Sequence, residues 1–300
     1  MAVPIITQEA GPDPDSVTAA IRVAVPASGL RQNLRAINIV WRREIIRFRS
    51  DRLRMVTSLV QPVLFLFVLG TGLSSLASGS LPPGFHFQTF IYPGVLAMSV
   101  LFTAMFSAAS IVWDREFGFL REMLVAPVSR SAIVIGKCLG GATVATFQGI
   151  VILALAGAAH VPYDPILFLT VIGELLLLSF TLTAFGVMMA ARIKQMQAFM
   201  ALTQMLLMPL FFLSGALYPL RSLPLWLTVL TRIDPLTYAV YPMREAVFSH
   251  LNVSPAATAA LSPPVTWDGW AVPVGVSLGI VAVMGAVLLG LAIAEFQRTE

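Results

Sequence analysis

The chain has 300 residues, of which 57% are hydrophobic and 11% charged. A soluble domain carries roughly 25% charge, so an ordinary water-soluble globule is excluded and an integral membrane protein is indicated. The net charge of +4 does not point to nucleic acid, because the basic residues follow membrane topology. A lone cysteine, Cys138, excludes an internal disulfide and a cysteine-based metal cluster.

Residues 1–29 carry four prolines, scattered charges and no apolar run of a secretory signal. They read as a disordered cytoplasmic tail. Residues 30–54 follow with Leu34, Ile37, Trp41, Ile45 and Phe48 at spacings of three and four, and with Arg35, Arg42, Arg43, Arg47 and Arg49 mostly opposite. That pattern predicts an amphipathic helix lying in the interface plane, its arginines on anionic headgroups. It serves either as a lever along the inner face that cups a partner or as a plain anchor.

A helix needs about 20 apolar residues to cross the hydrocarbon. Six stretches qualify, at about 56–77, 89–112, 132–158, 166–190, 197–217 and 270–294. They are continuous rather than alternating, which favours helices over barrel strands. The expected fold is therefore all-α, a polytopic membrane protein of six transmembrane helices. With the N-terminus in the cytoplasm, sixteen of the nineteen basic residues fall inside, leaving Arg221, Arg232 and Arg244 outside. Both termini are placed in the cytoplasm and the chain in the plasma (inner) membrane.

Between the second and third spans lies Trp113–Arg130, WDREFGFLREMLVAPVSR, with six charges in eighteen residues. Met55–Trp113 before it and Cys138–Tyr163 after it contain no Asp, Glu, Lys or Arg. Such a segment belongs in water or at the membrane surface, where a soluble partner can push on it. A solvated loop that only holds topology is the plainer reading.

Glu174 falls about eight residues into the fourth span, roughly 12 Å below the outer surface. It reads either as hydrogen-bonded to a neighbouring helix or an outer-loop arginine, or as a contact for a cationic or hydroxylated substrate. Gly136, Gly140, Gly141 and Gly149 along the third span predict close helix packing. Cys138 reads as a small buried hydrophobe. His86, His160 and His250 fall in outer loops without the spacing of helix metal ligands, so no metal site is expected.

The segment 218–248 is apolar but interrupted by Pro219, Pro224, Pro235 and Pro242. Each proline inside a helix costs about 3 kcal/mol, so two short helices, roughly 223–232 and 236–248, replace a single span. Trp226, Tyr238 and Tyr241 suit an interfacial depth. Arg221, Arg232, Asp234, Arg244 and Glu245 read as pairing among themselves or guarding an exit.

The charged segment also resembles a known family. Asp114–Arg115–Glu116, Gly118, Glu122, Leu124 and Pro127–Arg130, followed by IVIGKCLGG, look like the cytoplasmic loop of type-2 ABC exporter permeases. Leu223–Pro224–Leu225–Trp226 and Asp234–Pro235–Leu236–Thr237–Tyr238 are similar to the same family's broken outer hairpin. The resemblance runs over about 31–298 and is nearest to daunorubicin-type drug-resistance permeases, with lipid and polysaccharide exporters as near relatives.

The resemblance implies a half-transporter that pairs with a second copy of itself or a related permease, above separate ATP-binding cassette ATPase subunits. It implies that 113–130 is a coupling helix, with Asp114, Arg115, Glu116, Phe117, Gly118, Arg121, Glu122 and Pro127 at the ATPase. The resemblance implies spans two and five as substrate lining; the residues themselves make Phe199, Met200, Thr203, Met205 and Met208 of span five a soft apolar surface, and Phe199, Thr203 and Met208 with Glu174 of span four read as a possible substrate path. The expected cargo is a hydrophobic or amphiphilic drug, lipid or glycolipid, moved outward.

The chain itself has no G-x-x-x-x-G-K-[ST] loop; Gly136–Lys137–Cys138 lacks the upstream glycine and the hydroxyl. It reads as a non-enzyme without a cofactor of its own, with ATP and Mg bound by the partner subunit. The alternative is a secondary transporter or channel without an ATPase, which would need paired intramembrane charges. An intramembrane enzyme would need a catalytic dyad within the spans.

Overall fold

The computed structural model describes residues 29–74, 85–119, 128–220, 223–251, 258, 261–267 and 269–299. Most of the expected tail, and Arg121, Glu122, Leu124 and Pro127 of the charged segment, lie outside the described residues.

Among the described residues the regular structure is all helical apart from one small strand pair. In order, α1 is Leu30–Ser50, α2 Arg52–Gly72, α3 Phe87–Glu116, α4 Arg130–Leu153, α5 Pro165–Arg192 and α6 Met196–Leu213. Two short helices follow, α7 (Leu225–Ile233) and α8 (Pro235–Ser249), then the strands β1 (Thr266–Trp267) and β2 (Trp270–Ala271), and last α9 (Val274–Thr299). Among the described residues six helices, α2 to α6 and α9, are long and apolar enough to cross a membrane.

Several boundaries move from the hydropathy reading for local reasons. The third span stops at Leu153, and Ala156–Ala159 forms a 3-10 turn. The fifth stops at Leu213, where Gly215 takes a positive φ of 71°. The sixth starts at Val274, because Trp270–Ala271 pairs back with Thr266–Trp267. Within α2, Pro62 cannot donate its rung, and the helix widens into a single π turn at Phe65–Leu69.

The core is built on α3, which is almost wholly buried and packs against α4 and α5. At 30 residues it is about 45 Å long, more than the hydrocarbon thickness. The helices α2 and α6 lie against α3, and α9 against α5. Most of α2, α6 and α9 stays exposed.

The small residues of α4 set the packing distances. A Cβ on Gly141 would lie 2.5 Å from Thr183 of α5, and one on Gly149 would sit 3.2 Å from Leu175 and Val100. Cys138 is fully buried.

The N-terminal helix α1 packs lengthwise along α4. A Cβ on Gly136 would meet Val40 at 2.8 Å, and one on Gly140 would meet Glu44 at 2.6 Å. Both helices advance four residues between these contacts, so they run side by side in one direction. Further along, the rings of Phe48 and Phe147 meet edge to face at 6.4 Å. The buried line on α1 is Ala36, Val40 and Glu44, with Leu34 exposed. Ile37, Trp41, Ile45 and Phe48 are only half-buried.

The proline-broken segment forms the two short helices expected, at the end opposite α1. Asp234 caps α8, accepting from the Leu236 amide at 3.0 Å. Its burial pushes its carboxyl up to about 7. Arg221 lies outside the described residues, and two other charges of this hairpin, Arg244 and Arg232, reach backbone groups. Arg244 is buried, donates to the Gly215 and Ala216 carbonyls at 2.8 and 3.1 Å, and stacks over Phe90 at 4.5 Å. It thereby holds the turn that follows α6, close to a helix C-terminus where a cation suits the dipole. Arg232 donates to the Thr266 carbonyl at 3.1 and 2.8 Å. The Trp267 indole donates to the Tyr238 hydroxyl at 3.0 Å, which fastens β1 to α8.

Candidate functional site at the basic end of the bundle

At the other end, where α1 meets α3 and α4, the last turn of α3 carries Asp114, Arg115 and Glu116. Consecutive helix residues point about 100° apart, so three adjacent charges reach three different neighbours.

Asp114 turns inward and is buried. Its Oδ2 lies 2.5 Å from Lys137 Nζ of α4 and pairs with Arg43, and its Oδ1 lies 3.5 Å from Arg47. Lys137 is itself buried, 2.6 Å from Glu44 Oε1 of α1 and 3.0 Å from Ser110 Oγ. Three cations and two carboxylates thus meet where α1, α3 and α4 converge. Buried ions are tolerated when paired and hydrogen-bonded, as these are.

Arg115 reaches α5. Its guanidinium donates to the carbonyls of Ala190, Ala191 and Ile193 at 3.0, 3.1 and 2.7 Å, closing the helix end that leaves its last carbonyls unpaired. Glu116 reaches α6. Gln195, which precedes that helix, offers no side-chain cap, and Glu116 Oε2 accepts from the Met196 amide at 3.2 Å instead. One turn of α3 therefore engages four other helices and closes the ends of two of them, α5 and α6.

Gly118 ends α3. It takes a φ of 82°, and its amide donates to the Arg115 carbonyl at 3.1 Å, so the residue at this position stops the helix. Phe117 and Phe119 flank it, 63% and 54% exposed. Trp113, one turn earlier, meets Phe117 as a tilted pair at 5.4 Å and lies under Arg47 at 5.7 Å. The described part of the charged segment thus divides into inward-held charges and outward aromatic rings. Asp114 is not on an exposed rim.

Further contacts tie α1 and α9 to the same end. The Ser129 amide donates to Asn33 Oδ1 at 3.2 Å. Arg130 donates to the Gln297 carbonyl at 3.0 Å, and Arg192 pairs with Glu295 at 2.6 Å. Gly136–Lys137–Cys138 lies inside α4 with Lys137 in the ion cluster, so it is no phosphate loop.

The four residues read as a substrate path do not share one surface. Phe199 and Thr203 lie on the buried line of α6 with Leu207 and Phe211. Met200, Met205 and Met208 are on its exposed side. Glu174 is buried, and its Oε2 has no hydrogen-bond partner among the described residues, so the expected bond to a neighbouring helix is not made by that oxygen. Span two is interior to the chain. His86 and His160 stack at 3.8 Å, and among the described residues no group of three His, Cys, Asp or Glu could hold a metal.

Sequence reasoning missed Glu44 and Lys137 as partners. A signal was present: Glu44 is the sole acid in α1, and Lys137 is the one charge in α4 beyond its first residue. A lone acid on an arginine-rich helix and a lone lysine in an apolar span are complementary.

A helical bundle with six membrane-length spans, a re-entrant-sized pair of short helices at one end and a charged, interlocked turn at the other is the architecture of a transport permease. The sequence profile of the ABC-2 type transporter family matches residues 35–248, from α1 to the end of α8, and the chain belongs to that family. It is a membrane permease subunit and not itself an enzyme. It is similar to the transport permease ycf38 of Cyanophora paradoxa, 28% identical over 71% of this chain and 73% of that one. It is also similar to the inner membrane transport permease YadH of Escherichia coli K12, 29% identical over 74% of this chain and 86% of YadH. YbhR of the same organism is 31% identical over 52% of this chain and 43% of its own length.

Proposed function

We propose that this chain is the transmembrane half of an ATP-driven exporter, with both termini in the cytoplasm of an inner membrane. Two permeases pair, and separate ATP-binding subunits, which hold the ATP and Mg, dock on the segment 113–130. The observation that carries this reading is the turn of α3: Phe117 and Phe119 are exposed on either side of Gly118, while Arg115 and Glu116 hold the ends of α5 and α6. A soluble partner that grips the two rings would move the tips of several spans at once, because the charges behind them are already engaged. Aromatic anchors with a polar rim are what such an interface uses. Arg121, Glu122 and Pro127 complete the docking segment in this reading, with Asp114 positioning it from behind.

The cargo is a hydrophobic or amphiphilic molecule moved outward, in keeping with the exposed methionines of α6 and with the name of YbhR as a probable multidrug ABC transporter permease. The test is purification in mild detergent from the native host, followed by mass spectrometry. A stoichiometric subunit bearing a Walker A loop is expected, and it should be lost from the Phe117→Ser/Phe119→Ser variant. A folded, six-spanning protein without that subunit would overturn the reading.

A further inference from the structure

The chain has three histidines, and the structure gathers them at the end of the bundle where α8 lies. His86 is the N-cap residue of α3, and His160 closes the 3-10 turn Ala156–Ala159 that joins α4 to α5. Their rings stack at 3.8 Å with 14° between the planes, and both residues are exposed, so protons reach them freely. Beside the stack, the Thr89 hydroxyl of α3 donates to the Ala159 carbonyl at 2.7 Å. His160 takes a φ of 57°, a left-handed backbone uncommon outside glycine, and the Val161 amide closes the turn on the Ala156 carbonyl at 3.0 Å.

His250 follows the last residue of α8. Phe248, two residues earlier, meets Phe85 edge to face at 5.2 Å, which brings the end of α8 to the start of α3. Its Nδ1 lies 2.9 Å from the Ala246 carbonyl. A carbonyl only accepts, so Nδ1 carries the hydrogen and a neutral ring presents a bare Nε2. That nitrogen faces Asp164 Oδ1 at 3.9 Å, the same oxygen that caps α5 by accepting from the Ile166 and Leu167 amides at 2.7 and 3.3 Å. Two lone pairs face each other until a proton on Nε2 turns the contact into an ion pair at the C-terminus of a helix, where a cation is favoured.

Protons act on the stack in the opposite sense. A charge on either ring lies against the other ring and at the N-terminus of α3, where the helix dipole is itself positive. Desolvation and the neighbouring His86 hold the His160 imidazole below its ordinary value of 6.5. Its contact is therefore complete above that value and is lost as pH falls. The other ionisable groups packed here are engaged elsewhere. Tyr163 donates to the Ala154 carbonyl, Tyr92 to the Leu153 carbonyl and Arg244 to the turn after α6, while Glu245 acts on Tyr241. Segments 75–84 and 252–260 contain no ionisable side chain.

We propose that these residues form an acid-sensitive latch at the hairpin end of the permease. With neutral rings, His86 on His160 fastens the α4–α5 turn to the start of α3. On protonation that stack opens, and His250 grips Asp164, so that α8 holds α5 instead. Which compartment supplies the protons rests on the topology proposed above; the exchange of contacts does not.

The full-length chain, free of any histidine tag and labelled at histidine Cε1, gives three signals by NMR in micelles. The His160 signal should titrate below 6.5 and move upward in His86→Phe, which keeps a ring without a second charge. Hydrogen exchange, corrected for intrinsic rate, is then compared between about pH 7.5 and about pH 5.5. In acid, exchange should speed up severalfold at 156–161 and slow at 246–250. His160→Asn tolerates the left-handed backbone and should exchange fast at 156–161 at both pH values, whereas Asp164→Asn keeps the cap and should lose only the slowing at 246–250. A His160 midpoint unmoved by His86→Phe, or exchange at 156–161 that ignores pH in the parent, would overturn the proposal, as would both segments loosening together in acid. None of these outcomes bears on whether an ATP-binding subunit co-purifies, so the two readings fail separately.

Discussion

Glu44 of the N-terminal helix and Lys137 of the third span meet at 2.6 Å across 93 positions of sequence, both buried. Through Lys137 the contact extends to Asp114, so the helix preceding the first span is bolted to the charged turn of α3. Lys137→Met leaves Glu44 buried without its close cation. Removing one partner of a buried pair costs about 3–5 kcal/mol. The loss should fall at the lower end, because Arg43 and Arg47 still serve Asp114. A Glu44→Gln/Lys137→Met double variant should lose much less than the sum of the singles. Unfolding in mixed micelles checks this, and additive losses would remove the coupling.

The side-by-side packing of α1 on α4 makes a second expectation. A methyl on Gly140 falls 2.6 Å from Glu44 Cβ, and the helices must part to accept it. Gly140→Ala should cost about 1–3 kcal/mol, the usual range for overpacking. Gly279→Ala in α9 has open space around it and should be neutral or slightly stabilising, since alanine favours the helix. Thermal melting of the two variants in the same detergent decides; equal midpoints would mean that α1 is not held at this distance.

Glu116 and the rings beyond it separate positioning from docking. Glu116→Ala removes the cap of α6 and should cost about 1 kcal/mol of stability, the usual worth of an N-cap, with Glu116→Gln retaining most of it. Phe117→Ala and Phe119→Ala touch exposed rings and should leave the melting midpoint in place while weakening co-purification of the ATP-binding subunit. A loss of midpoint in the phenylalanine variants, with the partner retained, would place those rings in the fold instead.

The Asp234 cap carries a pH signature. Its folded carboxyl is raised by burial from 3.8 to about 7, so the native chain holds this proton longer than the unfolded one. Stability from this group is complete below about pH 4 and declines as pH rises to about 7, because the native state binds more protons over that interval. Asp234→Asn keeps an acceptor for the Leu236 amide without a charge to bury. Its stability should vary less over that window, and it should match or exceed the parent above it. Melting curves across the window, unchanged in slope by the substitution, would contradict the assignment.

Much of this architecture is legible in local sequence. Hydropathy marks six spans, since a helix in hydrocarbon must be apolar along a set length. Pro224 and Pro235 divide the outer segment into α7 and α8, because proline constrains its own backbone wherever it lies. The glycines of α4 announce close neighbours, and Gly118 announces the end of α3.

Which neighbours those are was decided only by the tertiary structure. The helical period of α1 points to a stripe through Leu34 and Ile37, yet Ala36, Val40 and Glu44 are buried, because an acid counts as polar until a lysine from another span meets it. The same holds for Asp114, Arg115 and Glu116, alike in sequence as a charged run and distinct in space as an ion-cluster member, a cap on α5 and a cap on α6. Periodicity turned neither Phe199 nor Thr203 inward on a helix apolar all round; packing against α3 did. Backbone conformation and membrane solvation act residue by residue and are written in the chain. Charge pairing and burial depend on groups about 70 to 100 residues away, and only the folded bundle brings those together.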